Sequence, residues 1–314
     1  MADEQLMIAM RVHEFGPPEA IVRESVPVPQ PGPDEVLVRV KASGVGPWDG
    51  WIRSGKSVLP QPLPLTLGSD IAGIVESVGG EGTGLAPGDE VYGVTNARFT
   101  GGYAEYAACK AAMIARKPAN LNFAEAASAP VVAVTAWQML FDEARLEAGQ
   151  TALIQGAAGS VGRYAVGLAV AAGIRVIASG REGQLDTLRD LGAQEAIESS
   201  DLGLFEGVAD AAIDLVGGPS QLQLLAGVKP GGAFVTAVPR PPVEEAGRRN
   251  VRASFMLVRV ETPYLDELTA RFEDGRIKPQ VGTILPLSEA RSAHEMLEGT
   301  RPGRPGKIVL VPDE

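Results

Sequence analysis

The stretch TALIQGAAGSVGRYAVGLAVAAGIRVIASG, residues 151–180, decides the fold. It begins with the short apolar run TALIQ, enters a glycine-rich turn, continues through SVGRYAVGLAVAAG at helical spacing and ends in the β-branched run RVIASG. Strand, tight turn, helix and second strand in that order form a βαβ unit, which needs a parallel sheet. The turn comprises Gly156, Ala157, Gly159, Ser160, Val161 and Gly162. Against the pattern G-x-G-x-x-G it reads Ala157-x-Gly159-x-x-Gly162, with alanine at the first position. Such a turn brings backbone close to a pyrophosphate, and the helix start offers it unpaired N–H groups and a partial positive charge. The competing reading is a strand-to-helix turn that serves packing alone.

The end of the second strand bears on which dinucleotide fits. An NAD site places a carboxylate there to accept from the ribose 2′-hydroxyl. Here Ser179, Gly180 and Arg181 stand in that place. A hydroxyl and a guanidinium suit a 2′-phosphate, because Arg gives it forked, charge-assisted hydrogen bonds. This favours NADPH as the cofactor. Arg181 as a solvated surface charge is the plainer alternative, and Glu182 beside it keeps an NAD reading open.

Working outward, the same alternation continues on both sides. LDTLRDLGA reads as helix, AAIDLVG as strand, QLQLLAGV as helix and GAFVTAV as strand; upstream, NFAEAASAPVVAVTAWQMLFDEA reads as a helix broken near Pro130. Residues 7–120 differ: the runs Ile8–Val12, Val36–Ala42, Ile71–Val78 and Glu90–Val94 are short, β-branched and separated by Gly/Pro clusters. Pro60, Pro62 and Pro64 enforce extended backbone in a loop that suits either a cleft cover or an ordinary surface connection. Beyond residue 255 the pattern predicts helices over Tyr264–Asp274 and Ser288–Glu298 and a closing strand KIVLVP. The fold class is therefore α/β: a β-rich domain from residues 1–121 and 255–314, with a doubly wound domain at 122–254 between them.

Composition removes several functions. With 28 Lys plus Arg against 39 Asp plus Glu the net charge is −11, which disfavours nucleic acid as a partner. The single Cys109 excludes an internal disulfide and a four-thiolate zinc site, and it reads as a small packing residue. His13 and His294 lack the close spacing of a metal pair and read as surface or packing residues. MADEQLMIAM starts acidic, without a basic segment leading into an apolar one, and no apolar run of about 18 residues follows. The expectation is a cytoplasmic protein with no membrane partner.

On these residues the chain resembles the zinc-free branch of the medium-chain dehydrogenase/reductases, the quinone oxidoreductase-like group. The resemblance runs through VLVRVKASGVGPWDGWIRSG, LGSDIAGIVESVG, PGDEVYGV, GGYAEYA, PVVAVTAW, GAAGSVG, VKPGGAFVTAV and GKIVLVP. It implies a GroES-like catalytic domain beside a Rossmann domain. Zinc-dependent relatives carry Cys where this chain has Gly46 and a His-Glu pair where it has Ser69-Asp70, so the resemblance implies no catalytic metal. Similar quinone reductases carry Asn at the place of Gly46 and tyrosines at those of Trp51 and Ser57; this chain departs at all three. The implied substrate pocket then falls on Gly46, Trp48 and Trp51, with core packing as the other role for the tryptophans. Asp49 and Ser57 are candidate proton donors, Asp49 also reading as a structural acceptor. Thr135, Val216, Gly217 and Ala237 match segments that run along the cofactor.

The implied reaction sends hydride from NADPH to a quinone or to the β-carbon of a conjugated carbonyl, an acceptor electrophilic enough to need no metal. An enoyl or 2-alkenal reductase with little quinone activity is one alternative. An NADPH-binding regulatory protein is another, since the pocket Asn and tyrosines are missing. Two apolar stretches, GAFVTAV and FMLVRV, are expected to form an exposed sheet edge able to pair in a homodimer.

Overall fold

A computed structural model describes residues 5–238 and 240–313. Residues 1–4, the start of the acidic N-terminal stretch, lie outside them. The chain divides into two units, residues 1–131 with 260–274 and 279–314, and residues 132–259 with 275–278.

The second unit carries a six-stranded parallel sheet in the spatial order Glu195–Glu198, Arg175–Gly180, Thr151–Gln155, Ala209–Asp214, Val228–Thr236 and Arg252–Phe255. The chain builds outward from Thr151–Gln155 in one direction, then crosses over and builds outward in the other. That reversal places a crevice at the carboxyl ends of Thr151–Gln155 and Ala209–Asp214, where doubly wound sheets bind ligands. Leu153, Ile177, Ala212, Leu224, Leu225 and Phe234 form its core. Four of these strands and the helices between them follow the order read from the sequence. Two strands, Glu195–Glu198 and Arg252–Phe255, are not legible in the sequence, being four residues each and half polar.

The expected exposed edge requires correction. The strand containing GAFVTAV is internal, paired on both sides, and Arg252–Phe255 forms that border of the sheet. FMLVRV is a strand only at Phe255; Met256–Val260 is irregular, with Met256 and Val260 buried. The reason lies in Gln138, whose side chain donates to Arg259 O at 2.8 Å and accepts from Arg259 N at 3.1 Å. Met256 N–H still donates to Thr236 O at 2.9 Å, and beyond it the side-chain amide takes up the main chain of Arg259.

The first unit is β-rich. A mixed sheet runs Val281–Pro286, Lys307–Val311, Glu35–Val45, Asp70–Val78, Glu90–Val94 and Ile114–Arg116, with Tyr106–Lys110 also on Glu35–Val45, and Leu6–Val12 pairs with Val22–Pro27 and Leu65–Thr66 in a smaller sheet. Val36, Val38, Ile71, Val75 and Val91 alternate inward to form one core. The helix Phe123–Ala127 also belongs here, so the expected boundary at 121/122 moves to 131/132. Asn122 and Glu125 close a reciprocal capping box at 2.9 Å, and Ala126 and Ala127 are fully buried. Cys109 is buried as a packing residue, and burial pushes its thiol pKa up.

Candidate functional site

In the second unit the glycine turn has the shape a dinucleotide requires. Gly156 sits at φ 76°, and a Cβ on Gly162 would stand 2.3 Å from the Gly156 carbonyl oxygen, so both positions exclude larger residues. Gly159 N–H donates to Gly156 O at 3.0 Å and Ala157 N–H to Ser179 O at 3.2 Å, tying the turn to the next strand. Gly159 caps the helix Ser160–Ala171 with no side-chain acceptor, and Gly159 and Ser160 are exposed. First-turn N–H groups are thereby left for an anion.

Two buried polar atoms near this turn have no partner: Gln155 Oε1 and Ser179 Oγ, at the carboxyl ends of adjacent strands. Leaving such atoms unpaired costs about 1–3 kcal/mol each. Both would be satisfied by a polar ligand, so the residues fit a dinucleotide. Arg181 follows, exposed, its main chain held by Gln184 at 3.0 Å.

Val216 and Gly217 sit on a loop fixed by a residue that the sequence reading missed. Asp214, fully buried, accepts from Val216 N at 3.0 Å, Gly217 N at 2.9 Å, Gln221 Nε2 at 2.8 Å and Thr236 Oγ1 at 2.8 Å. Its own carbonyl accepts from Ala237 N at 3.1 Å. One carboxylate therefore holds both segments expected to line the cofactor. The available signal was a lone Asp closing the apolar strand AAIDLVG. Thr135 is buried on the helix Pro130–Trp137.

In the first unit Gly46, Trp48, Ser69, Asp70 and Lys307 come together. Trp48 Nε1 donates to Ser69 Oγ at 3.0 Å, and Lys307 Nζ lies 4.2 Å from the Trp48 ring centroid and 3.2 Å from Asp70 Oδ2. Burial raises the Asp70 pKa, and the Lys307 charge opposes that rise. Asp49 is buried behind this group and accepts from Gly46 N at 2.8 Å and Tyr103 Oη at 3.1 Å, while its Oδ1 has no partner. Burial pushes its pKa up to about 7. The same interior holds His294, whose Nδ1 is 3.0 Å from Arg53 Nη1; burial and that guanidinium depress its pKa to about 3.

No bond to this cluster is seen for the remaining candidates among the described residues, although Trp51 shares the helix Pro47–Arg53 with Trp48. Trp51 is 53% exposed, and the Ser57 hydroxyl accepts from Leu59 N at 3.1 Å within its own loop. His13 is a surface residue paired with Glu24. Among the described residues, no group of three or more His, Cys, Asp or Glu side chains is placed to hold a metal ion, and no helix is long and apolar enough to cross a membrane.

Comparison with known proteins agrees with both units. Residues 32–119 match the alcohol dehydrogenase GroES-like domain, and residues 191–310 match the family described as zinc-binding dehydrogenase. The quinone oxidoreductase of Coxiella burnetii superposes with a TM-score of 0.90 at 30% identity, covering 98% of this chain and 100% of that one. The 2-methylene-furan-3-one reductase of Solanum lycopersicum is 34% identical over 98% of this chain and 79% of its own length. A mycobacterial protein complexed with NADPH aligns with a TM-score of 0.84 at 28% identity, over 98% of this chain and 100% of its own. The chain belongs to the medium-chain dehydrogenase/reductases, in the quinone oxidoreductase-like group, a family of oxidoreductases that use a nicotinamide cofactor.

Proposed function

We propose that the protein is an NADPH-dependent, zinc-free reductase of quinones or conjugated carbonyls. The observation that carries this reading is the glycine turn, in which Gly162 has no room for a Cβ and an uncapped helix follows. The likeness to a mycobacterial NADPH complex and to reductases of a quinone and of an enone supports it.

Backbone N–H groups of Gly159–Gly162 would hold the pyrophosphate, and Arg181 the 2′-phosphate. When bound, NADPH supplies the hydride. Asp214 keeps the Val216-Gly217 loop and the Ala237 segment in place, so the cofactor wall is preorganised. Trp48 offers the acceptor an aromatic surface, with Gly46 beneath it. We take the proton for the reduced oxygen from solvent: Asp49 is buried against Gly46 N and Tyr103 Oη, and Ser57 lies in a loop of its own.

The test measures NADPH and NADH binding, then turnover of 1,4-benzoquinone and of a 2-alkenal with NADPH in excess. NADPH is expected to bind at least ten-fold more tightly than NADH, and Arg181→Ala to remove most of that difference. Turnover of neither acceptor despite tight NADPH binding would sink the reductase reading in favour of a binding protein.

A further inference from the structure

Trp48 occupies space that belongs to another position. A Cβ built on Gly46 would meet Trp48 Cη2 at 2.3 Å, so the indole lies where a side chain of residue 46 would stand. Two contacts restrain it. Its N–H is taken by Ser69 Oγ, a residue with no exposed surface. The Lys307 ammonium sits over the ring, and Asp70 holds that ammonium. Asp70 is in turn fixed by Val131 N–H at 3.1 Å. Lys307 and Asp70 side chains are 5% and 0% exposed, whereas Trp48 remains half-buried. The indole is therefore held by buried, mutually paired groups while part of it stays accessible.

An aromatic side chain held at its polar tip and over its ring loses little freedom when a ligand lies against it. A flat ring gains offset stacking from such a surface; an open-chain enone of the same electrophilicity covers far less of it. We propose that Trp48 is the ring-selecting wall of the acceptor site and that Lys307 is its positioning residue, so that quinones and cyclic enones are preferred over open-chain acceptors. The ligand class rests on the reductase reading, whereas the binding preference is measurable without turnover.

The experiment is calorimetric binding of 1,4-naphthoquinone and of 3-penten-2-one to the full chain, with no reduced cofactor present. Trp48→Ala is expected to raise the naphthoquinone Kd roughly ten-fold, in line with loss of an aromatic contact, and to leave the pentenone Kd within about two-fold. The double variant Lys307→Met/Asp70→Asn removes both charges together, so neither is stranded in the interior. It is expected to raise the naphthoquinone Kd about three-fold, as the indole loses its backing. Equal losses for both ligands, no change in either, or a wild type that binds neither overturns the wall. A double variant that keeps the wild-type ratio while Trp48→Ala loses it overturns the role of Lys307. A wild type that shows the ring preference yet reduces no acceptor with NADPH supports the wall and refutes the reductase reading.

Discussion

Asp49 and His294 titrate in opposite senses within one buried neighbourhood, and that opposition is open to measurement. The folded state holds Asp49 near a pKa of about 7, against an ordinary 3.8, so it favours the protonated carboxyl. Its contribution to stability is complete below the ordinary value and is lost as pH rises through about 7. His294 has its pKa depressed from 6.5 to about 3, so its contribution is complete above 6.5 and is lost as pH falls toward 3. Between pH 4 and 6.5 the two slopes offset each other. Urea unfolding at several pH values should show Asp49→Asn gaining stability as pH rises across that window, and His294→Gln losing it. Parallel slopes in the two variants would contradict this assignment. Neither environment is legible in the sequence: Asp49 reads as a proton donor or a structural acceptor and His294 as a surface or packing residue, but burial depth depends on Tyr103 and Arg53, distant in sequence.

Elements whose periodicity is local were read well. The alternation of apolar runs gave every strand of the parallel sheet longer than four residues, and the glycines of the turn marked where strand passes to helix. The loop after Ala209–Asp214 was placed by resemblance, but its anchor was not, because four donors converge on Asp214 only once Gln221 and Thr236 have been brought in by the fold. Asp214→Ala leaves those donors unpaired at a cost of about 3–5 kcal/mol. The milder Asp214→Asn keeps one acceptor for the two loop N–H groups. On the placement proposed above, with Arg181 at the 2′-phosphate and the loop farther along the cofactor, it is expected to weaken NADPH binding about ten-fold while leaving 2′,5′-ADP binding within two-fold. Equal weakening of both ligands would mean that Asp214 acts on the whole unit.

For the molecule as a whole, the parallel sheet ends at Glu195–Glu198 on one side and at Arg252–Phe255, not the apolar strand beside it, on the other. Phe255 and Leu257 are 41% and 52% exposed, an unusual position for large apolar residues beside an unpaired ladder. A homodimer through this edge predicts sedimentation at twice the 32.7 kDa chain mass, shifted to monomer by Phe255→Glu with Leu257→Glu. A wild type that sediments as a monomer at high concentration excludes it. Hydrophobic period and glycine placement are properties of neighbouring residues, so the α/β class, the alternation of its longer strands with helices and the glycine turn could be read directly from the chain. The border strand, the Asp214 anchor and the seating of Trp48 over Gly46 and under Lys307 could not. Each depends on groups far apart in sequence, from Trp48 to Lys307 and from Asp214 to Thr236, whose burial and pairing exist only after the sheets have closed around them.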